Sequence, residues 1–238
     1  MLEMFLIMNN YDIDVTQRKI EMYYQVRTDY PEIFRNKNPT LPHMMKVADV
    51  IYTITLPELT PEMYRVNILK IKDTNPSNLD AYDFVAHMLN CLELNYAKGN
   101  YAAGELFIYD LEGISLRHMF KFGLGLIRKL ARVLQEVYSP KTKGIHFINC
   151  PIFIDTILTI ARAATKEKIA KRFKVHNSKE TLKEFIPESI LPIDYGGQEE
   201  CLDTLRRIQE EQFEKNIARF NTLDNLKKIK TIDSNDKK

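Results

Sequence analysis

The chain has 238 residues, 45% of them apolar and 28% charged, with a net charge of +2. This is the composition of a soluble globular protein with a substantial core, built as one large domain or as a small domain and a larger one. A charge so near zero gives no general argument for nucleic acid, and no run approaches the ~20 apolar residues of a membrane span, so any membrane contact is expected to be peripheral.

Leu2 to Met8 is apolar but short, with no basic stretch before it, and does not read as a signal sequence. Residues 12–29 read as a helix, with Asp14 as N-cap and Ile13, Ile20, Tyr24 and Arg27 on one face. Pro31, Pro39 and Pro42 then break the chain. A short helical element is expected over Leu41 to Thr53, and Pro57 and Pro61 mark a turn. Val66 to Lys72 is the first expected strand, and a helix follows over Leu79 to Ala97. Glu105 to Asp110 reads as a second strand, Ser115 to Tyr138 as one or two helices, and Gly144 to Asn149 as a third strand. A helical segment from Phe153 to about Arg172 leads to a short fourth strand, Phe173 to His176. Lys179 to Phe185 opens a closing helix that cannot pass Pro192, and Gly196 and Gly197 allow a tight exit. Leu202 to Phe220 reads as a charged amphipathic helix, and residues 221–238 as a frayed tail. Strands alternating with helices imply crossover connections and hence a mostly parallel sheet.

Conventional catalysis finds no support in the sequence. It has no GxSxG, no HExxH and no glycine-lysine phosphate loop, and Gly123-Leu-Gly125 lacks a third glycine and a preceding strand. Cys91, Cys150 and Cys201 are odd in number and widely spaced, which suits reduced thiols in a cytosolic protein. Cys150 near His146 offers adjacency alone, so a nucleophile is not expected, nor are a cofactor or a metal. The positive charge is local: Arg162, Lys166, Lys168, Lys171, Arg172 and Lys174 stand against Glu167 alone.

Several strings occur in the order of one family. They are Phe107-Ile-Tyr-Asp110-Leu-Glu-Gly113, Gly144-Ile-His-Phe-Ile-Asn149-x-Pro151, Lys168-Ile-x-x-Arg172 ahead of Val175-His176, and LKEFIPESILPIDYGG over Leu182 to Gly197. Over roughly Phe5 to Gly197 the chain resembles the CRAL-TRIO domain, the lipid-carrier fold of tocopherol transfer protein and retinaldehyde-binding protein. The resemblance implies an α/β fold: a CRAL-TRIO lobe over residues 51–200, with a mostly parallel sheet covered by helices. A shortened all-helical lobe (residues 1–50) would precede it, and residues 201–238 would add a C-terminal amphipathic helix and tail.

Read from the residues alone, the apolar positions of these strands are core. The resemblance implies instead that one sheet face, with Phe107, Tyr109, Ile145 and Phe147, lines a large apolar cavity. His87 and Cys91, four apart on one helix face, align with polar positions that would orient a ligand hydroxyl or carbonyl, and Val133 and Leu134 align with lining positions. Phe153, Ile154, Ile157, Leu158 and Ile160 belong to the implied gate, a helix that seals the cavity and partitions into a bilayer on opening. The family's basic-Pro-Phe at the gate's end is Arg162-Ala163-Ala164 here. Lys141, Lys143, Lys168 and Arg172 align with a phosphoinositide-reading patch whose fifth basic position is Asn9. The implied function is a cytoplasmic, monomeric carrier, transiently membrane-associated, that holds one hydrophobic molecule. A tocopherol, retinoid, other isoprenoid, phospholipid or fatty acid fits such a cavity, and the membrane partner is an anionic surface with phosphatidylinositol bisphosphate. The alternative is a lipid-sensing adaptor that recruits a protein partner without transferring lipid.

Overall fold

A computed structural model describes residues 2–99 and 101–226, and among these five strands form one sheet. They are β1 (Ile51–Leu59), β2 (Tyr64–Ile71), β3 (Gly104–Asp110), β4 (Thr142–Ile148) and β5 (Phe173–Val175), in the spatial order β1-β2-β3-β4-β5. β1 runs antiparallel to β2, and every other neighbouring pair is parallel. The parallel strands advance across the sheet in one direction, so right-handed crossovers put all their helices on one face. These are α6 (Ala81–Ala97) between β2 and β3, α7 (Leu116–Lys121) and α8 (Leu124–Val133) between β3 and β4, and α9 (Ile154–Ala164) and α10 (Glu167–Ala170) between β4 and β5. The C-terminal part of the chain covers the other face, where Leu182, Ile186, Leu191, Tyr195 and Leu205 pack on Ile54, Val66, Ile68 and Ile108.

The helices α1 (Leu2–Met8), α2 (Ile13–Asp29), α3 (Pro31–Phe34), α4 (Pro42–Met45) and α5 (Val47–Val50) precede the sheet. Asp12, rather than Asp14, caps α2, its carboxylate accepting from the Val15 amide at 2.9 Å. That places Ile13 in solvent, and the buried face of α2 carries Thr16, Tyr23, Val26 and Arg27. Phe5, Tyr23, Val26 and Phe34 share one core with Val85, Leu89, Leu126 and Tyr138 of the crossover layer, so the N-terminal helices have no separate core of their own.

The expected short helix over Leu41 to Thr53 stops at Val50, and Ile51 onwards is strand. Its run of β-branched and aromatic residues favours the sheet, and Pro57 is tolerated because β1 is an edge whose register shifts between Thr55 and Leu59. The expected closing helix at Lys179 is a 3₁₀ segment, Lys179–Glu184, ahead of Pro187; Leu182 and Ile186 turn down onto the sheet instead of following a helix face. The final helix breaks at Asn216 into α11 (Leu202–Lys215) and α12 (Ile217–Asp224), so residues 221–224 are helical where a frayed tail was expected. The rest of that tail, from residue 227, lies outside the described residues.

Asp110 ties the family strings together. Its Oδ1 accepts from Asn149 Nδ2 at 2.8 Å and from the Glu112 amide at 3.1 Å. Its Oδ2 meets Lys70 Nζ at 2.9 Å and Tyr195 Oη at 3.2 Å. The Tyr-Gly-Gly exit is equally constrained: Gly196 has φ +72°, and any side chain at Gly197 would collide with the Leu191 carbonyl.

Glu93 ties the helices. It is 2% exposed, and its Oε1 accepts from Tyr23 Oη (2.8 Å), Tyr138 Oη (2.7 Å) and Arg27 Nη2 (3.0 Å). Its Oε2 accepts from Arg219 Nη2 at 2.7 Å, so one carboxylate joins α2, α6, the turn after α8, and α12. Burial pushes its pKa up, but Arg27 and Arg219 outweigh this and hold it below the usual glutamate range. Removing that charge leaves buried Arg27 without its counter-ion, a change that typically costs ~3–5 kcal/mol. Glu93→Gln is therefore expected to lower the stability read by urea unfolding by about that amount; a loss under ~1 kcal/mol would mean that water satisfies the two arginines.

A second buried polar group joins β4, β5 and the segment after them. Thr181 Oγ1 donates to the Ser178 carbonyl, so it accepts from His176 Nδ1 at 2.6 Å. His176 Nε2 is then the acceptor for His146 Nδ1 at 2.9 Å, and both rings are held neutral. Burial, His176 and Lys174 together pull the His146 pKa down to about 4 from 6.5, while burial and Lys174 lower that of His176 against the opposing charge of Glu184. Between those values the unfolded chain binds more protons than the folded one, so this pair makes stability fall as pH drops from about 6.5 towards 4. The urea midpoint is expected to decline over that interval, and to decline less steeply in His146→Gln, which takes up no proton.

Candidate functional site

The crossover helices do not fill the space above their face of the sheet. Along β3, Glu105, Phe107 and Tyr109 point to that face while Leu106 and Ile108 pack into the far core. A cavity of about 310 Å³ lies between the sheet and α6, α8 and the end of the α9–α10 segment. Leu69, Phe107, Tyr109 and Ile145 form its floor, and Met88, Leu92, Ala131, Leu134 and Ile169 its roof. The floor is braced by stacked rings: Phe107 to Tyr109 at 6.4 Å between centroids, then Tyr109 to Phe147 at 5.4 Å. Burial pushes the Tyr109 hydroxyl pKa up to about 12, so the floor carries no charge from it. Gln135, Ser139 and Lys166 mark the exposed rim.

Of the residues singled out from the sequence, Cys91, Phe107, Tyr109, Leu134 and Ile145 stand on the cavity wall. Phe147 lies beside it, under the gate, with Phe173 edge-on at 5.5 Å. Val133 is fully buried in the helical core. His87 turns away from the cavity and packs against Phe213 of α11 at 5.6 Å between rings. Burial pulls its pKa to about 4, and among the described residues its Nδ1 finds no partner. Cys91 stands at the boundary, donating to the Thr53 carbonyl at 3.7 Å and approached by Gln209 Nε2 at 3.4 Å.

The helix α9, expected from the resemblance to be a gate, packs Ile157 and Leu158 against Leu111, Ile145 and Phe147, with Phe153 and Ile154 half-buried in the same cluster and Ile160 half-buried beyond it. None of these five touches the cavity; the wall takes Ala164, Thr165, Lys166 and Ile169 from this segment instead. The helix still ends without the family's proline, at Thr165, whose hydroxyl caps the Ala161 carbonyl at 3.0 Å. Ala164, just before Thr165, is on the cavity wall.

The basic residues collect on one side of the rim. Arg172 Nη1 donates to the Thr142 carbonyl, which sets it against Lys141 and Lys143; Lys168 is exposed one turn earlier. Lys141 Nζ reaches Asn10 Oδ1 at 3.0 Å, and Lys143 Nζ lies 5.1 Å from the Tyr64 ring centroid. Asn9 binds the Phe5 carbonyl and takes no part. The sequence reading missed Lys19, which donates to Ser139 Oγ on the rim. Burial and the charge of Lys166 lower its pKa to about 8.

It also missed a polar corner of the wall made by Thr53, Thr55 and Asn67. Thr55 Oγ1 donates to Asn67 Oδ1 (3.0 Å), Asn95 Nδ2 donates to Thr55 Oγ1 (3.1 Å), and Asn67 Nδ2 donates to Glu105 Oε2 (2.7 Å). Burial pushes the Glu105 pKa up to about 7, against the Asn67 bond and the charge of Arg65. The signal was the alternation of Thr53 and Thr55 with Ile54 and Leu56, legible only once β1 is taken as a strand. Among the described residues no three His, Cys, Asp or Glu side chains are grouped to hold a metal, and no helix is long and apolar enough to cross a membrane.

Residues 51–197 match the CRAL/TRIO domain family, and residues 1–44 match the Pinta-like UBA domain. Human alpha-tocopherol transfer protein-like is 29% identical over 205 residues, 84% of this chain and 58% of that protein. Rat clavesin-2 is 24% identical over 182 residues, 76% of this chain and 56% of that protein. The chain thus spans less than two thirds of the length of these curated relatives. The crystal structure of Sfh5 superposes with a TM-score of 0.57 at 12% identity, over 90% of this chain and 80% of that one, which shows a shared fold.

Proposed function

The chain belongs to the CRAL/TRIO family, and from that premise we propose that it encloses one hydrophobic lipid and exchanges it at anionic membranes from the cytoplasm. The observation that carries this reading is the cavity of about 310 Å³, open at its rim, with a largely hydrocarbon and aromatic wall. Its volume is within the range of small-molecule sites, ~300–1,000 Å³. Packed cores do not leave such space unfilled, because an apolar void forfeits dispersion contacts on every side. The transfer function named for the tocopherol-related relatives agrees with it.

Two features of the surface support membrane docking. Lys141, Lys143, Lys168 and Arg172 put positive charge beside the rim, suited to lipid phosphates such as those of phosphatidylinositol bisphosphate. On the crossover face, Phe120 is 77% exposed and Leu124 66%, and Ile152 at the base of the gate has no cover. These three follow the C-terminal ends of β3 and β4, away from the basic patch at the strands' N-terminal ends, and exposed apolar side chains of this kind suit an interfacial surface.

Ile145→Trp is expected to fill the cavity while the fold persists. Lipid co-purifying with the protein, read by mass spectrometry after extraction, is lost and the melting temperature is kept. Unfolding instead would show ordinary overpacked core, which costs ~1–3 kcal/mol.

Changing Lys141, Lys143, Lys168 and Arg172 together to Gln is expected to remove up to ~4 kcal/mol of attraction to anionic vesicles at low salt, at ~1 kcal/mol per near-surface charge. The lipid content of the cavity should not change. Flotation of both proteins with vesicles containing or lacking phosphatidylinositol bisphosphate reads this directly. Equal binding by the variant would assign docking to the apolar side chains alone.

A further inference from the structure

The cavity wall changes character where β1 meets β2. Leu69, Phe107, Tyr109 and Ile145 offer only hydrocarbon and aromatic surface, whereas Thr53, Thr55 and Asn67 stand together at one end. Thr55 and Asn67 are locked by their bonds to each other and to Asn95 and Glu105. Thr53 is different. It is 6% exposed, it is on the wall, and its hydroxyl has no partner among the described residues. An unpaired buried hydroxyl destabilises a fold, and valine has the same shape without that cost. A wall built for hydrocarbon alone has no use for it.

We propose that this corner is a polar subsite that receives the hydroxyl group of a neutral lipid alcohol, a reading that rests on the carrier function proposed above. A lipid hydroxyl both donates and accepts, and the Thr53 hydroxyl answers either way. The acidic side chain behind Asn67 speaks against an anionic head. Glu105 is held by Asn67, and the neighbouring cation, Arg65, is committed through Nη1 to the Leu56 and Pro57 carbonyls at 2.9 and 2.8 Å. A carboxylate or phosphate at the corner would add a negative charge beside Glu105, whose neighbouring cation, Arg65, already faces both Glu105 and Glu58. The cations around this cavity, Lys166 and Lys19, belong to the rim. The inference therefore fixes an orientation as well as a class: hydroxyl inward on β1 and β2, hydrocarbon along Phe107, Tyr109 and Ile145.

The test uses the full chain stripped of lipid and three radiolabelled probes with the same branched carbon skeleton: phytol, the hydrocarbon phytane and phytanic acid. Wild type is expected to hold phytol about tenfold tighter than either of the others, the difference that one buried hydrogen bond makes. Thr53→Val abolishes that preference, leaves the affinity for phytane unchanged, and keeps or raises the melting temperature of the empty protein. Thr165→Val, on the wall at the rim, retains the preference. If wild type binds all three probes alike, or if Thr53→Val keeps the tenfold preference, the subsite is overturned and the carrier stands. If wild type retains none of the probes and yields no lipid on extraction, the carrier reading falls and the subsite with it.

Discussion

Every parallel crossover of this sheet lands on the same face, and the consequences run through the whole molecule. Sequential strand order with right-handed connections permits no other arrangement. One face is left to the C-terminal segment, which fills it tightly with Leu182, Ile186, Leu191 and Tyr195. The other face is spanned by α6, α8 and the α9–α10 segment, which must stay up over a floor they only partly touch. A layer above a cavity lacks the dispersion contacts that hold an ordinary helix down. It is held from the side instead: by Glu93, through hydrogen bonds and ion pairs to α2 and α12, and by the packing of Ile157 and Leu158 on Phe147.

Much of this was legible. The family strings name the residues that meet at Asp110, and a hydrogen-bonded hub of that kind leaves a strong trace in sequence because each partner needs one particular side chain. The strand and helix order from Val66 to Val175 follows from periodicity. What was not legible depended on tertiary neighbours. β1 hides behind Pro57, whose place at a sheet edge no local rule reveals. His87 and Cys91 lie on one face of α6, but spacing cannot say that α11 lies against part of that face and turns His87 towards Phe213. The apolar residues of α9 pack beside the cavity, and the end of the α9–α10 segment lines it, a division that spacing along one helix does not reveal.

The polarity of the cavity is arranged as two separate ends. Positive charge gathers at the rim, where burial and then the charge of Lys166 lower the pKa of Lys19, and the nearby start of β4 carries Lys141 and Lys143. The interior end is hydrogen-bonding and, through Glu105, tends to negative or neutral. A lipid with a charged head and a lipid with a hydroxyl would thus enter this chamber in opposite senses. Direction of entry matters for exchange at a bilayer, since the end that leaves first is the end that must regain water.

The order of synthesis gives the far-face cover a further significance. All five strands leave the ribosome before Leu182 does, so a growing chain can pair its sheet while the face bearing Ile54, Val66, Ile68 and Ile108 is still bare. Glu93, likewise, has Arg27 from the start but gains Arg219 only when α12 emerges. Until the last part of the chain is made, the nascent protein presents a broad apolar sheet surface and an imperfectly neutralised internal charge, both features that attract chaperones and promote misassociation. Emergence of the segment from Leu182 to Asp224, rather than the pairing of strands, is the step at which this molecule acquires its two-sided form.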